Sequence, residues 1–129
     1  MILIDTSAWI EFFRGKGTLV EAVDDALDVN EAALCGPVSM ELRRGLRTSA
    51  ERRRVLPLLA GCHALEDPPA LWEEAGDLGF FLARKGVTAK SIDLLIATVA
   101  LSHGVPVLTR DADFAAMRKA GAGLLLVGS

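Results

Sequence analysis

Short runs of consecutive apolar residues alternate along this chain with longer stretches whose apolar positions recur every three or four residues. The first pattern reads as a strand buried on both faces, the second as an amphipathic helix. Five segments fit the strand pattern: residues 1–4, 33–36, 62–65, 105–109 and 124–127. The first ends abruptly at Asp5. Thr6 and Ser7 can cap a helix that carries Trp9, Ile10 and Phe13 and stops at Gly15-Lys16-Gly17. Thr18 with Glu21 predicts a capping box for a second helix, with Leu19, Val23, Ala26 and Leu27 on one face. Pro37, Val38 and Ser39 lead into a third, containing Glu41, Leu42 and Leu46. Ser49 and Glu51 start a fourth, which Pro57 is predicted to kink or end. Asp67-Pro68-Pro69 opens a long helix with the stripe Leu71, Ala75, Leu78 and Leu82, closed by Arg84, Lys85 and Gly86. Ser91 caps a helix that is apolar nearly all round, from Leu94 to Leu101, and is therefore buried. A short helix follows Arg110-Asp111-Ala112-Asp113-Phe114.

Strands alternating with helices, with the strands fully apolar, predict an α/β domain: three α/β/α layers around a parallel sheet of about five strands. At 129 residues the chain is expected to form a single domain spanning residues 1–129. The two cysteines, Cys35 and Cys62, form no metal-ligand pattern and fit a reducing compartment. No apolar run reaches the length of a membrane span, and the N-terminus lacks the basic region of a secretory leader. A cytoplasmic protein with no membrane partner is expected.

In parallel sheets, ligands bind beyond the carboxyl ends of the strands. Asp5 follows the first strand directly, and Asp111 and Asp113 lie just after the fourth. Asp93 falls in the first turn of the buried helix, and Glu41 near the start of its own. Each acid alone has an ordinary explanation as a helix cap, a turn residue or a dipole complement. Asp5 resists that explanation most. A charge closing a buried strand costs several kcal/mol unless it is paired or binds a metal, and no Lys or Arg follows it nearby. Clustered carboxylates repel unless a cation sits among them. All-oxygen donors without Cys or His point to Mg²⁺ or Mn²⁺, and such sites drive phosphoryl chemistry. Thr6, Ser7 and Thr109 flank the acids and can orient them. His63 and His103 are read as structural.

The formal net charge of −3 looks unfavourable for a nucleic-acid partner. Fourteen Lys and Arg stand against seventeen Asp and Glu; with five acids assigned to one site, the other twelve leave a surplus of two positive charges. Arg43, Arg44, Arg47, Arg52, Arg53 and Arg54 cluster in sequence. They form either a solvated helix face or a surface for phosphates.

The segments Ile2-Leu3-Ile4-Asp5-Thr6-Ser7, Ser39-Met40-Glu41-Leu42, Ser91-Ile92-Asp93-Leu94-Leu95-Ile96-Ala97 and Leu108-Thr109-Arg110-Asp111-Ala112-Asp113-Phe114 together resemble the PIN-domain ribonucleases of the VapC toxin type. They occur in the family's order, and the resemblance covers essentially the whole chain. It implies an endoribonuclease toxin of a type II toxin–antitoxin pair that hydrolyses RNA with Mg²⁺ or Mn²⁺. Asp5, Glu41, Asp93 and Asp111 are then catalytic. Asp5, Asp93, Asp111 and Asp113 hold the metal, with the division between Asp111 and Asp113 open. The resemblance also implies a homodimer and a VapB-like antitoxin that blocks the site and binds operator DNA, which the toxin reaches only through it. Trp9, Ile10, Phe12 and Phe13 exceed what one core face needs, so Trp9 or Phe12 with Leu46 is expected to line the antitoxin groove.

Three other readings compete. A haloacid-dehalogenase phosphatase needs a second Asp two positions after the first, where this chain has Ser7. A receiver domain needs an acceptor Asp after the third strand, where residues 63–67 offer a poor one. A non-catalytic module would use the acidic pocket only to bind a partner's Arg.

Overall fold

The computed structural model of the chain describes residues 1–128. Four short strands, β1 (Ile2–Ile4), β2 (Ala32–Leu34), β3 (His63–Ala64) and β4 (Val107–Leu108), form one parallel sheet in the order β3-β2-β1-β4. Helices α1 (Thr6–Arg14), α2 (Val20–Asp28), α3 (Gly36–Gly45), α4 (Ser49–Ala60), α5 (Leu71–Arg84), α6 (Ser91–His103) and α7 (Ala112–Lys119) fill the connections. The chain steps from β1 outward to β2 and β3, then crosses back to place β4 on the other side of β1. Right-handed crossovers running in opposite directions put their helices on opposite faces of the sheet, which gives the three layers. The reversal falls between β1 and β4, and a crevice opens there beyond their carboxyl ends.

The core is continuous through the sheet. Leu3, Ile4, Ala33, Val107 and Leu108 from the strands meet Trp9, Val38, Leu82, Ile96, Val99, Phe114 and Met117 from the helices. Helix α6 is apolar all round because it is the buried member of the α5–α6 pair. A side chain at Gly79 of α5 would come within 2.9 Å of Leu94 Cδ1, so the missing Cβ lets these helices approach.

Several sequence expectations need correction. Residues 124–127 form no fifth strand. Only a single parallel bridge joins Leu126 to Val107, through Val107 N to the Leu125 carbonyl (2.9 Å) and Val127 N to the Val107 carbonyl (3.0 Å). β4 is two residues long and offers no further ladder positions. The Thr18–Glu21 capping box does not form. Leu19 is the N-cap of α2 and makes no side-chain cap, while its N–H donates to Glu11 Oε1 at 3.0 Å. Asp5 caps α1 instead of Thr6 or Ser7, and Lys90 occupies the cap position expected for Ser91. Helix α4 runs on past Pro57 to Ala60, on an exposed face where water can serve the carbonyl that proline leaves unpaired. His63 and His103 are structural: their Nε2 atoms bond the carbonyls of Asn30 and Glu66, both at 2.8 Å.

Trp9 is fully buried. It stacks on Phe13 at 5.6 Å between ring centroids and meets Phe12 edge-on at 6.1 Å, so it cannot line a partner groove. Phe12 is half-buried against the same core. The expected pairing of Trp9 or Phe12 with Leu46 therefore fails at Trp9. Trp9→Ala is expected to cost roughly 3–5 kcal/mol of folding free energy, the range for deleting a large buried aromatic, read as a lowered urea midpoint.

Candidate active site

Asp5 stands where β1 becomes α1. Its N–H donates to the Leu108 carbonyl (2.9 Å), extending the pairing with β4, and its carbonyl accepts from Ala8 and Trp9, opening the helix. The side chain is only 4% exposed. Its Oδ2 accepts from the Ser7 hydroxyl (2.7 Å), the Thr109 hydroxyl (2.8 Å) and, more distantly, Ser7 N (3.4 Å). The same two hydroxyls hold the loop after β4. Thr109 Oγ1 accepts from Asp111 N, and Ser7 Oγ accepts from Arg110 N, both at 2.9 Å. One carboxylate thus ties the ends of neighbouring strands together through two side chains.

Asp111 caps α7 by accepting from Asp113 N at 2.9 Å. This turn sets Asp113 beside it. Asp93 enters from the first turn of α6. Carboxylate oxygens of Asp93, Asp111 and Asp113 all lie within 4.8 Å of one another. Asp93 is buried, and its Oδ2 has no hydrogen-bond partner among the described residues. Burial pushes the Asp93 carboxyl up to about 6, and the charges of Asp111, Asp5 and Asp113 push the same way against a smaller pull from Lys90. The arginine in the adjoining loop brings no relief, because Arg110 Nε pairs with Glu11 at 3.1 Å.

These donors fit a hard divalent cation. The cluster offers only carboxylate oxygens, it repels itself, and it contains a buried oxygen with nothing to accept from.

Of the residues singled out in the sequence, Asp93, Asp111 and Asp113 converge, with Asp5 close enough to act on Asp93 electrostatically. Glu41 comes from a separate element. It is half-buried in the middle of α3, and its Oε1 accepts from the Thr6 hydroxyl at 2.6 Å. Thr6 therefore serves Glu41, whereas Ser7 and Thr109 serve Asp5. Glu11 was not foreseen. It lies four residues after Ser7 on α1, and the two share Arg110: Ser7 takes its N–H and Glu11 its guanidinium. That helical spacing was the available signal.

Two open clefts flank the acids. One, of about 570 Å³, runs from Thr6 and Glu41 between α1, α3 and α4, over Ile10, Phe13 and Leu46, to Arg14, Arg47 and Arg54. The other, of about 640 Å³, runs from Thr109 and Asp111 to Arg118 and Lys119 along β4 and α7. The arginine cluster of the sequence is divided. Only Arg47 and Arg54 reach the first cleft, Arg43 bonds Ser39, and Arg52 and Arg53 lie on a separate surface with Pro57.

A carboxyl whose pKa rises on folding holds its proton more tightly in the folded chain. Stability from Asp93 is therefore present at low pH and is lost as pH rises from the ordinary value of 3.8 through about 6. The whole window corresponds to about 3 kcal/mol at most. Without divalent cations, Asp93→Asn is expected to raise the melting temperature at pH 7 by several degrees and to flatten its decline between pH 4 and 7. A large loss of apo stability would contradict the repulsion.

A profile of the PIN domain family matches residues 2–120. Ribonuclease VapC11 of Mycobacterium tuberculosis is 37% identical over 119 residues, covering 88% of this chain and 89% of that protein. In the structure of VapBC-5 from the same organism, described as a member of the VapBC family of toxin–antitoxin systems, one chain is 29% identical. It matches with a TM-score of 0.66 over 97% of both chains. A chain of VapBC2 from Rickettsia felis, bound to a promoter DNA fragment, matches with a TM-score of 0.77 over 98% of this chain and 97% of that one. At 20% identity that likeness speaks for the fold. The chain belongs to the PIN-domain family, alongside the VapC ribonucleases.

Proposed function

We propose that this protein is a VapC-type endoribonuclease toxin that hydrolyses RNA phosphodiester bonds at its carboxylate cluster and is neutralised by a VapB-like antitoxin. The unpartnered Oδ2 of Asp93 carries the reading, since a buried, self-repelling carboxylate group is built to receive a cation. The ribonuclease names of relatives up to 37% identical support RNA as substrate. The toxin–antitoxin complexes among the structural relatives support the partner.

Asp93, Asp111, Asp113 and Asp5 would hold Mg²⁺ or Mn²⁺, which when bound supplies Lewis acidity for phosphodiester hydrolysis. The chain's other residues set the stage. Ser7 and Thr109 both donate to Oδ2 of Asp5, and among the described residues none donates to its Oδ1. Thr6 fixes Glu41 at the mouth of the first cleft, where a carboxylate can take a proton from a water attacking the scissile phosphorus. Basic side chains in both clefts lie on either side of the acids and suit the phosphates of a strand crossing between them.

Purified protein with Mg²⁺ or Mn²⁺ is expected to cleave RNA, and EDTA, Asp5→Asn or Asp93→Asn to reduce cleavage to background. Thr109→Val is expected to lower activity roughly 10–100-fold, as for other partners of metal-binding carboxylates. Cleavage that survives EDTA or both Asn variants contradicts the proposal. Tight binding of an Arg-containing partner without any cleavage by the wild-type protein would favour the interaction-module reading.

The antitoxin groove is assigned to Ile10, Phe13 and Leu46, replacing Trp9. Ile10 is 38% exposed, and the arginines at the rim suit an acidic tail. Ile10→Lys is expected to weaken antitoxin binding at least ten-fold in calorimetry without lowering the melting temperature. Unchanged affinity would remove the groove from the account.

A further inference from the structure

Helix α5 divides its charge along its length. Glu73, Glu74 and Asp77 occupy its first half and Arg84 its last turn, with Lys85 as its C-cap. The basic end stands beside the carboxylate cluster. A Cβ at Gly79 would come within 2.9 Å of Leu94 Cδ1, on the residue after Asp93, and the short connection from Lys85 to Lys90 leads directly into α6. Lys90 adds a third cation at that end, and its charge acts on Asp93. Among the described residues, no acid forms an ion pair with Arg84, Lys85 or Lys90.

Two of these placements resist a purely structural account. Lys90 is the N-cap of α6, makes no side-chain cap and sets a positive charge at the positive end of a helix. Phe80 is 66% exposed and Phe81 37%. Arg84 lies over the Phe80 ring, 5.5 Å from its centroid, and Lys85 over the Phe81 ring at 5.6 Å. The four side chains form two neighbouring columns, each a ring under a cation. Phe81 is also braced, since a Cβ at Gly121, beyond α7, would sit 3.7 Å from its Cζ.

Rings interleaved with unpaired cations suit a single strand of nucleic acid. A base stacks on a ring whatever its identity, and the phosphates beside it go to the cations. An exposed cation–ring contact is weaker than a base–ring stack, so an entering base can take the ring and free the cation for a phosphate. A duplex keeps its bases stacked on one another and offers none to the rings. The acidic half of α5 repels phosphates and so bounds the track at its far end. Lys90, three residues before Asp93, is placed to hold the phosphate nearest the cluster.

We propose that the end of the α5–α6 pair nearest Asp93 is a subsite for unpaired RNA, in which Phe80 and Phe81 stack bases, Arg84 and Lys85 take their phosphates, and Lys90 positions the phosphate next to the scissile one. The proposal rests on the nuclease reading of the cluster, but its own readout is binding, which needs neither metal nor cleavage.

Fluorescence anisotropy of a short, unstructured, labelled RNA, measured in EDTA so that nothing is cut, tests it. Phe80→Ser should weaken binding roughly ten-fold, the scale of one base–ring stack, with the salt dependence unchanged. A blunt duplex of the same sequence should bind this variant and the wild type alike. Lys90→Met should weaken binding and reduce the slope of log affinity against log salt by about 0.7, one phosphate contact on a single strand. The same variant should bind Mn²⁺ as tightly as the wild type or more tightly, because a cation has left the neighbourhood of the acids. A lysine that only supported the fold would instead lose Mn²⁺ affinity and melting temperature together. With Mg²⁺, both variants should raise KM for the RNA more than they lower kcat. Wild-type affinity and salt slope in both variants would overturn the subsite, and cleavage by the wild type would then leave the nuclease reading standing. Variants that bind RNA normally but no longer pair with a protein, a second copy included, would overturn it and give the rings to that protein. A wild type that neither binds nor cleaves RNA would overturn both readings.

Discussion

The site depends on repulsion among carboxylates held out of water. Asp93 is buried with one oxygen unpartnered, and Asp111, Asp113 and Asp5 all raise the cost of its charge. A chain selected for stability alone would place a base among them or replace one with an apolar residue. Here the adjoining arginine is drawn off by Glu11, and the hydroxyls of Ser7 and Thr109 both go to Asp5. The neighbours therefore fix the geometry of the acids without neutralising them, an arrangement that suits a cation.

The fold holds this arrangement because it sits at the reversal of strand order. β1 and β4 are adjacent in space but separated by the whole domain in sequence. Their carboxyl ends deliver Asp5 and the Thr109–Asp113 turn to the same crevice. The first turn of α6, the most buried helix, supplies Asp93. Each acid is thus mounted at the end of a rigid element. Ser7 and Thr109 stitch two of those elements together and hold the cluster's shape when no ion is bound.

Much of this was legible in the sequence because it is local. An apolar run ending in Asp5, a caps-and-turn segment holding Asp111 and Asp113, and an acid opening an all-apolar helix each declare themselves within a few residues. Asp5, Asp93, Asp111 and Asp113 were found that way, and their neighbourhood followed once β1 and β4 proved adjacent. What failed was decided by distant partners. The Thr18–Glu21 box lost to Glu11, which reaches across the turn to Leu19. Residues 124–127 had the composition of a strand but met a β4 too short to extend the ladder. Trp9 looked available for a partner because α1 carries more aromatics than one face needs. The core took Trp9, leaving Ile10 and Phe13 to the cleft. Glu41, placed in the sequence by its helix position, accepts from Thr6 at the mouth of the first cleft.

The central claim is that the cluster is a cation site organised around Asp93. Mn²⁺ binding to the purified protein, followed by the loss of the free-ion electron paramagnetic resonance signal, tests it most directly. The account predicts that the wild-type chain depletes free Mn²⁺ stoichiometrically at concentrations where Asp93→Asn leaves it untouched. Equal depletion by the two proteins, or none by the wild type, would contradict it.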